Sequence, residues 1–462
     1  MAQRRVGVLG AGLLLALLAL TQGCLRALTG ASASRRPNVV LITLDTTRAD
    51  HLGCYGYPKA TSPHLDRLAA QGVLFTHAIA QASVTPVSHA SILTGRDPYH
   101  HGLRVMHGMS SHRLADSQVT LAEVLKAAGY RTGAFVSAFP VSERFGLHQG
   151  FDVFDADFLE EPAEELVTKE GIVNTGTNQR RADETTRRAL AWLDEAEAPT
   201  FLWIHYFDPH DPLLLPPGVA APADPTRVRK QLRELYDVEI RYMDEQIGRV
   251  LARLDEDGRA GETVVAVVAD HGEGLGDHGW WSHGILYQEQ IRVPLILRAA
   301  AAEAGRRVER LVRTTDLAPT LLDLAGVPSE DHPPMDGRSL VPLLRGESPD
   351  PGQTAYADSV NTLTYHIAHG VTDRKDEMLF AIVDGPWKYI HHAIRPDRSE
   401  LYNLADDPGE KHNRIGADAA VAGRLRAELE SRSYRPPDPS KTPDEMSPED
   451  LERLKSLGYV VE

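Results

Sequence analysis

Three stretches of this chain are predominantly apolar and stop at a carboxylate. Asn38 to Leu44 runs into Asp45, Phe201 to Phe207 into Asp208, and Thr263 to Ala269 into Asp270-His271. A strand with one wet face alternates; a continuous apolar run of this length suits a strand covered on both faces of a parallel sheet. Helical spacing falls between them, at Pro63 to Gly72, Thr120 to Ala128, Arg181 to Glu195 and Val228 to Leu254. Thr120 and Glu123 are placed as a capping box. Strands alternating with helices predict an α/β fold, with a mostly parallel central sheet and helices on both faces. Ligands of such sheets bind at the carboxyl ends of the strands, where all three aspartates fall. One aspartate there is an ordinary turn residue. Three of them, one followed directly by histidine, point to a shared metal site.

Ser83 to Gly95 supplies a nucleophile. Thr85 precedes Pro86 and a short helical pattern that Gly95 ends. Threonine is a good N-cap and proline a good first helical residue, so Thr85 is expected as the cap. Unpaired N–H groups and the helix dipole favour negative charge at that point, so a hydroxyl there ionises more easily. His89 lies one turn on, and His210 follows Asp208-Pro209; both are candidates for substrate contact or proton transfer. The glycine-rich stretch 272–284 carries His278 and His283. His278, His100 and His101 read as ordinary loop histidines.

The catalytic domain is expected over 37–350. Strand patterns at Ala355 to Ser359, Met378 to Val383 and Trp387 to His391 predict a small C-terminal α+β subdomain with an antiparallel sheet, over 351–432. A proline-rich tail and a terminal helix at Pro448 to Leu457 complete 433–462. Asp155 to Asn178 is acidic and reads as an irregular surface insertion. The net charge of −16 excludes a nucleic-acid partner, which needs a basic face. At the N-terminus, Arg4 and Arg5 precede an apolar run from Val6 to Leu20, then Gly23-Cys24. This predicts a signal peptide over 1–24, Cys24 as a lipidation candidate and a tether over 25–36. The protein is thus expected in the periplasm or cell envelope, touching membrane only through that anchor. Two cysteines exclude a disulfide framework and a four-cysteine zinc site.

Three segments together resemble the sulfatase family of the alkaline phosphatase superfamily. They are Pro37 to Asp45 continuing to Arg48-Ala49-Asp50, Thr85-Pro86-Val87-Ser88-His89 running into Leu93-Thr94-Gly95-Arg96, and Asp270-His271-Gly272 with Leu275-Gly276-Asp277-His278-Gly279. Lys388-Tyr389-Ile390, Glu400 to Leu404 and Asp407 to Glu410 agree. The resemblance implies an alkaline-phosphatase-like sheet and a metal held by Asp45, Asp270 and His271, with Thr85 as the metal-bound nucleophile. Sulfatases usually carry at that position a cysteine converted to formylglycine; none is expected here. Arginine is usual where His89 stands, a second aspartate where Thr46 stands, and a lysine where His283 stands. The lysine and histidine that grip sulfate would fall near Ser137 and Phe139.

Phosphate-ester-cleaving relatives use threonine or serine as nucleophile, and two-metal relatives add aspartate and histidines, for which Asp208, His210 and His283 are available. One or two divalent ions are expected, with zinc, manganese and calcium all open. A sulfated threonine cannot collapse to an aldehyde and needs direct attack by water. The expected activity is hydrolysis of a small-molecule, glycan or lipid sulfate or phosphate ester. The alternatives are a phosphodiesterase or phosphotransferase on the same scaffold, and an inactive tethered binding module.

Overall fold

The computed structural model describes residues 36–104, 113–158, 164–168, 171–175, 178–211, 214–219, 228–347, 353–359, 378–432 and 447–457. The expected signal segment with Cys24, the tether up to residue 35 and the proline-rich tail up to residue 446 lie outside the described residues.

Each of the three apolar runs is a strand. In chain order the central sheet contains β1 (Asn38–Leu44), β2 (Val73–Ile79), β3 (Arg131–Val136), β4 (Val153–Asp155), β7 (Thr200–Tyr206), β8 (Thr263–Ala269), β9 (Arg292–Arg298) and β10 (Arg306–Arg313). Their spatial order is β10-β2-β9-β8-β1-β7-β3-β4. All neighbours are parallel except β9, which runs antiparallel to β2 and β8. Every residue of β1, β7 and β8 is buried, as strands covered on both faces must be. Leu44 pairs with both Tyr206 and Ala269, so the three carboxyl ends meet at one edge.

Several strands fall outside the sequence expectation, β2, β4, β10 and β14 (Glu400–Asn403) among them. β10 carries Arg306, Arg307, Glu309, Arg310 and Arg313, and such charge belongs at a sheet edge, where it discourages further pairing. β2 begins directly after a helix, at Gly72, where a Cβ would stand 2.4 Å from the Leu297 carbonyl. The expected irregular insertion contains a hairpin, β5 (Glu164–Thr168) and β6 (Gly171–Thr175), in which Val167 pairs with Ile172.

The helices form two packed groups. One comprises α1 (Pro63–Gln71), α4 (Ala182–Glu195) and α5 (Val228–Glu256); the other α2 (Thr85–Thr94), α3 (Leu121–Ala127) and α6 (Leu317–Leu324). The Thr120–Glu123 capping box is present at α3. A separate antiparallel sheet in the C-terminal region has the order β11 (Ala355–Ser359), β12 (Leu379–Asp384), β13 (Trp387–His392), β14 (Glu400–Asn403). Helix α7 (Ala419–Ser431) packs on β12 and β13, and α8 covers Pro448–Ser456.

Candidate active site

Asp45 leaves β1 fully buried, and Thr46 turns the chain sharply, at φ 48° in the left-handed region. That turn aims the Thr46 N–H at Asp270 Oδ1, 3.2 Å away. The N–H of His271 donates to the same oxygen at 2.7 Å. Asp270 Oδ2 has no hydrogen-bond partner, nor has Asp45 Oδ1. Asp45, Asp270 and His271 each offer one atom, and these atoms lie within 4.8 Å of one another. Burial raises both carboxyl pKa values well above the ordinary range, and the Asp45 charge raises Asp270 further. Two orphaned carboxylate oxygens facing each other in a dry site are costly unless a cation lies between them. The donor set therefore fits a divalent ion.

His271 is set for the same task. Its Nδ1 donates to the Gly272 carbonyl at 2.9 Å, which leaves Nε2 unprotonated. That Nε2 stands 3.2 Å from Thr85 Oγ1. Gly272 is required here, because a Cβ would lie 2.0 Å from the Glu289 carbonyl. Burial, reinforced by His283, pushes His271 well below the usual imidazole range and keeps it neutral.

Thr85 is the first residue of α2 rather than its cap. Val84 occupies the cap position in extended backbone and offers no side-chain hydrogen bond. The hydroxyl is directed across to His271. Ser88 Oγ ties the same helix to the Asp270 carbonyl at 2.6 Å.

His89 has both ring nitrogens committed. Nδ1 donates to the Thr85 carbonyl at 2.8 Å, and Nε2 accepts from Thr43 Oγ1 at 3.1 Å, itself bonded by Trp203 Nε1 at 2.9 Å. It is fully buried, and burial with the neighbouring His205 pushes its pKa well down. His89 is thus a neutral brace under Thr85, not a substitute for a cation. His210 and His283 face each other, Nε2 to Nε2, at 3.2 Å. His283 Nδ1 donates to the Ser83 carbonyl, and its ring lies 4.4 Å from that of His271.

Asp208 is not brought to this pair. Its Oδ1 accepts from the Ala182 N–H at the start of α4, and burial raises its pKa to about 7. Among the described residues, Asp208, His210 and His283 form no three-ligand group. Ser137 Oγ bonds the His205 carbonyl and Thr185, and Phe139 is buried in the core; neither position supplies a cation. His278 donates to Glu289 and to the Glu410 carbonyl, as a structural loop residue does.

Two contributors escaped the sequence reading. His205, inside β7, bonds Asp45 Oδ2 at 3.1 Å; a lone polar ring in an otherwise apolar run was its signal. Tyr236 of α5 bonds the Thr46 carbonyl at 2.6 Å and accepts from the Arg48 N–H at 2.8 Å. Arg48 in turn pairs with Asp277 at 2.8 Å, bracing the loop after His271 against the end of β1.

A family model described as Sulfatase matches residues 37–327, and one described as N-sulphoglucosamine sulphohydrolase, C-terminal, matches 276–434. The N-acetylglucosamine-6-O-sulfatase of Bacteroides thetaiotaomicron is 24% identical, with 83% of each chain covered. The ulvan-active sulfatase of Formosa agariphila is 29% identical, with 80% of each covered. The crystal structure of the phosphonate monoester hydrolase of Agrobacterium radiobacter superposes with a TM-score of 0.67 at 23% identity, over 86% of this chain and 95% of that one. The motifs at Asp45, Thr85 and Asp270-His271, the sheet that gathers them and the family match agree: the chain belongs to the sulfatase family.

Proposed function

We propose that this chain is a metal-dependent ester hydrolase in which Thr85 Oγ1 is the nucleophile. The observation that carries this reading is one buried hydroxyl on the first turn of a helix, set against an unprotonated imidazole nitrogen and two orphaned carboxylate oxygens. A divalent ion in such a donor set neutralises charge and eases ionisation of a neighbouring hydroxyl. Thr85 Oγ1 loses its proton and bonds to the sulfur or phosphorus as the ester bond to the leaving oxygen breaks. The departing alkoxide takes up the proton that Thr85 gave, and His210, kept neutral by burial and by His283 beside it, is the candidate carrier of that proton. Water then attacks the Thr85 ester, releases the acid and restores the hydroxyl.

A threonine ester lacks the second hydroxyl through which a formylglycine hydrate expels sulfate, so the second step depends on water. That chemistry favours a phosphate or phosphonate ester over a sulfate ester, and the fold shared with a phosphonate monoester hydrolase is compatible with it. The sulfated-sugar activity printed for a relative motivates the sulfate arm. Export through the N-terminal segment is part of the same reading. The test is turnover of nitrophenyl sulfate, phosphate monoester, phosphodiester and phosphonate monoester, with and without chelator. Chelator-sensitive turnover is expected, highest on a phosphorus ester. Turnover of none, with no metal bound, would overturn the reading in favour of a binding module.

A further inference from the structure

The loop after β1, the segment 277–292 and the C-terminal loop Pro408–Lys411 enclose a cavity of about 250 Å³. Neither Thr85 nor the metal group lines it. Its wall carries charges of both signs, but they are unevenly spent. Asp50 takes Arg48 on both oxygens, Nε at 2.9 Å and Nη2 at 2.7 Å. Asp277 takes Arg48 on one oxygen at 2.8 Å and Arg233 on the other at 2.9 Å. Glu289 takes His278 Nδ1 at 2.6 Å. Each carboxylate of the wall thus has a cation of its own.

Three donors of the same wall are not spent. Arg292 gives Nε to the Thr76 carbonyl at 3.1 Å, which fixes the guanidinium and leaves its two outer nitrogens to the cavity. Lys411 lies opposite, on the C-terminal loop. Among the described residues neither Arg292 nor Lys411 has a carboxylate within ion-pair distance. Gln288 Nε2 is buried with no hydrogen-bond partner, a costly state for an amide donor. Guanidinium and ammonium groups donate and cannot accept, and an arginine fork matches two oxygens of a phosphate-type group. The chain carries a net charge of −16, so an anion must be held by such local cations and not by the overall field. The volume is below the roughly 300–1,000 Å³ usual for drug-sized ligands, so the occupant is small.

We infer that this cavity is a second anion site, in which Arg292, Lys411 and Gln288 hold a tetrahedral oxyanion, phosphate or sulfate, free or carried on a single sugar. It stands apart from the ester-cleaving site and does not rest on the hydrolase reading.

The test uses the full chain freed of metal by chelator, because Asp45 and Asp270 with no ion between them give an oxyanion nothing to bind at the ester site. Inorganic phosphate, inorganic sulfate and a sugar 6-phosphate are titrated calorimetrically, with chloride at equal ionic strength as the screening control. One oxyanion per chain is expected to bind, more tightly than chloride. Arg292→Gln is expected to weaken it about 10-fold or more. Lys411→Gln, at an exposed position where folding is not at stake, is expected to weaken it by a smaller factor, about 3-fold, and Lys411→Arg to restore it. Ester turnover is expected to be unchanged in all three. Tighter binding of the inorganic ions than of the sugar phosphate would assign the site to free ions, and the reverse to the sugar-borne group. Binding no tighter than that of chloride would overturn the inference, as would wild-type affinity in both Arg292→Gln and Lys411→Gln. Phosphate binding lost in Thr85→Ala but kept in those two variants would place the anion at the ester site and also overturn it. Anion binding as expected with no ester turned over would sink the hydrolase reading and leave this inference standing.

Discussion

β1 and β7 lie side by side, parallel and in register from Val39–Phe201 to Leu44–Tyr206, and each runs into a buried aspartate. Asp45 joins the metal group. Asp208 accepts an N–H from the first residue of α4. Register and pleat explain the difference. Thr43 pairs with His205, so Asp45, two residues beyond Thr43, shares a face with His205. Asp208 lies an odd step from His205, and Phe207 has already left the extended region at ψ −4°. Asp208 therefore turns to the helix, while His205 turns to Asp45. A strand-end aspartate is positioned by register, not by its distance from the end of an apolar run.

Swapping the two aspartates for alanine breaks the comparison most sharply. Asp45→Ala is expected to lose metal binding and at least about 100-fold in turnover, measured by metal analysis and ester hydrolysis. Asp208→Ala is expected to keep its metal and lose about 1 kcal/mol of stability, read from denaturant unfolding, because one buried N–H at α4 is left unpaired. Equal loss of metal in both variants would erase the distinction.

The histidines sharpen it. Around the metal group burial pushes His205 to about 3 and His283 to about 4, so both rings stay neutral. At the far side of the 272–284 loop, burial alone would lower His278, but the hydrogen bond to Glu289 raises it above the usual value. Both His278 nitrogens face acceptors, Glu289 at 2.6 Å and the Glu410 carbonyl at 3.1 Å, so the charged form is the bound one. A raised histidine contributes stability below its unfolded pKa and loses it as pH rises through the folded one. His278→Gln is expected to cost roughly 1.5 kcal/mol near pH 6 and less near pH 9, by urea unfolding at both. A cost independent of pH would remove the charged clamp.

A separate pH effect concerns Glu239 of α5, fully buried with neither oxygen bonded, and raised to about 10 by burial and then by Asp208. The folded state holds a proton that the unfolded state releases above about pH 4.5, so wild-type stability falls as pH rises from there towards 10. Glu239→Gln is expected to flatten that slope, measured as unfolding free energy against pH.

Much of this site could be read from the chain because its strands announce themselves. β1 and β8 are apolar runs whose ends carry Asp45 and Asp270-His271, and Pro86 marks the start of α2. What could not be read depended on neighbours. Parity between β1 and β7 decides that His205, not Asp208, reaches Asp45, and no local pattern states it. His89 looked like a substrate contact until Thr43 and Trp203, on two other strands, were seen to hold it. β10 hid behind its charges because an edge strand need not be apolar. β2, Val73 to Ile79, was not read because its run directly follows a helix with only Gly72 between.

The central claim is that Thr85 Oγ1 attacks the ester, beside a metal group whose ligands Asp45, Asp270 and His271 hold the ion without it. Turnover by Thr85→Ala and Thr85→Ser, with bound metal quantified in the same samples, tests it most directly. The account predicts metal retained in both variants, turnover lost in Thr85→Ala and substantially kept in Thr85→Ser. Undiminished turnover by metal-loaded Thr85→Ala would contradict it.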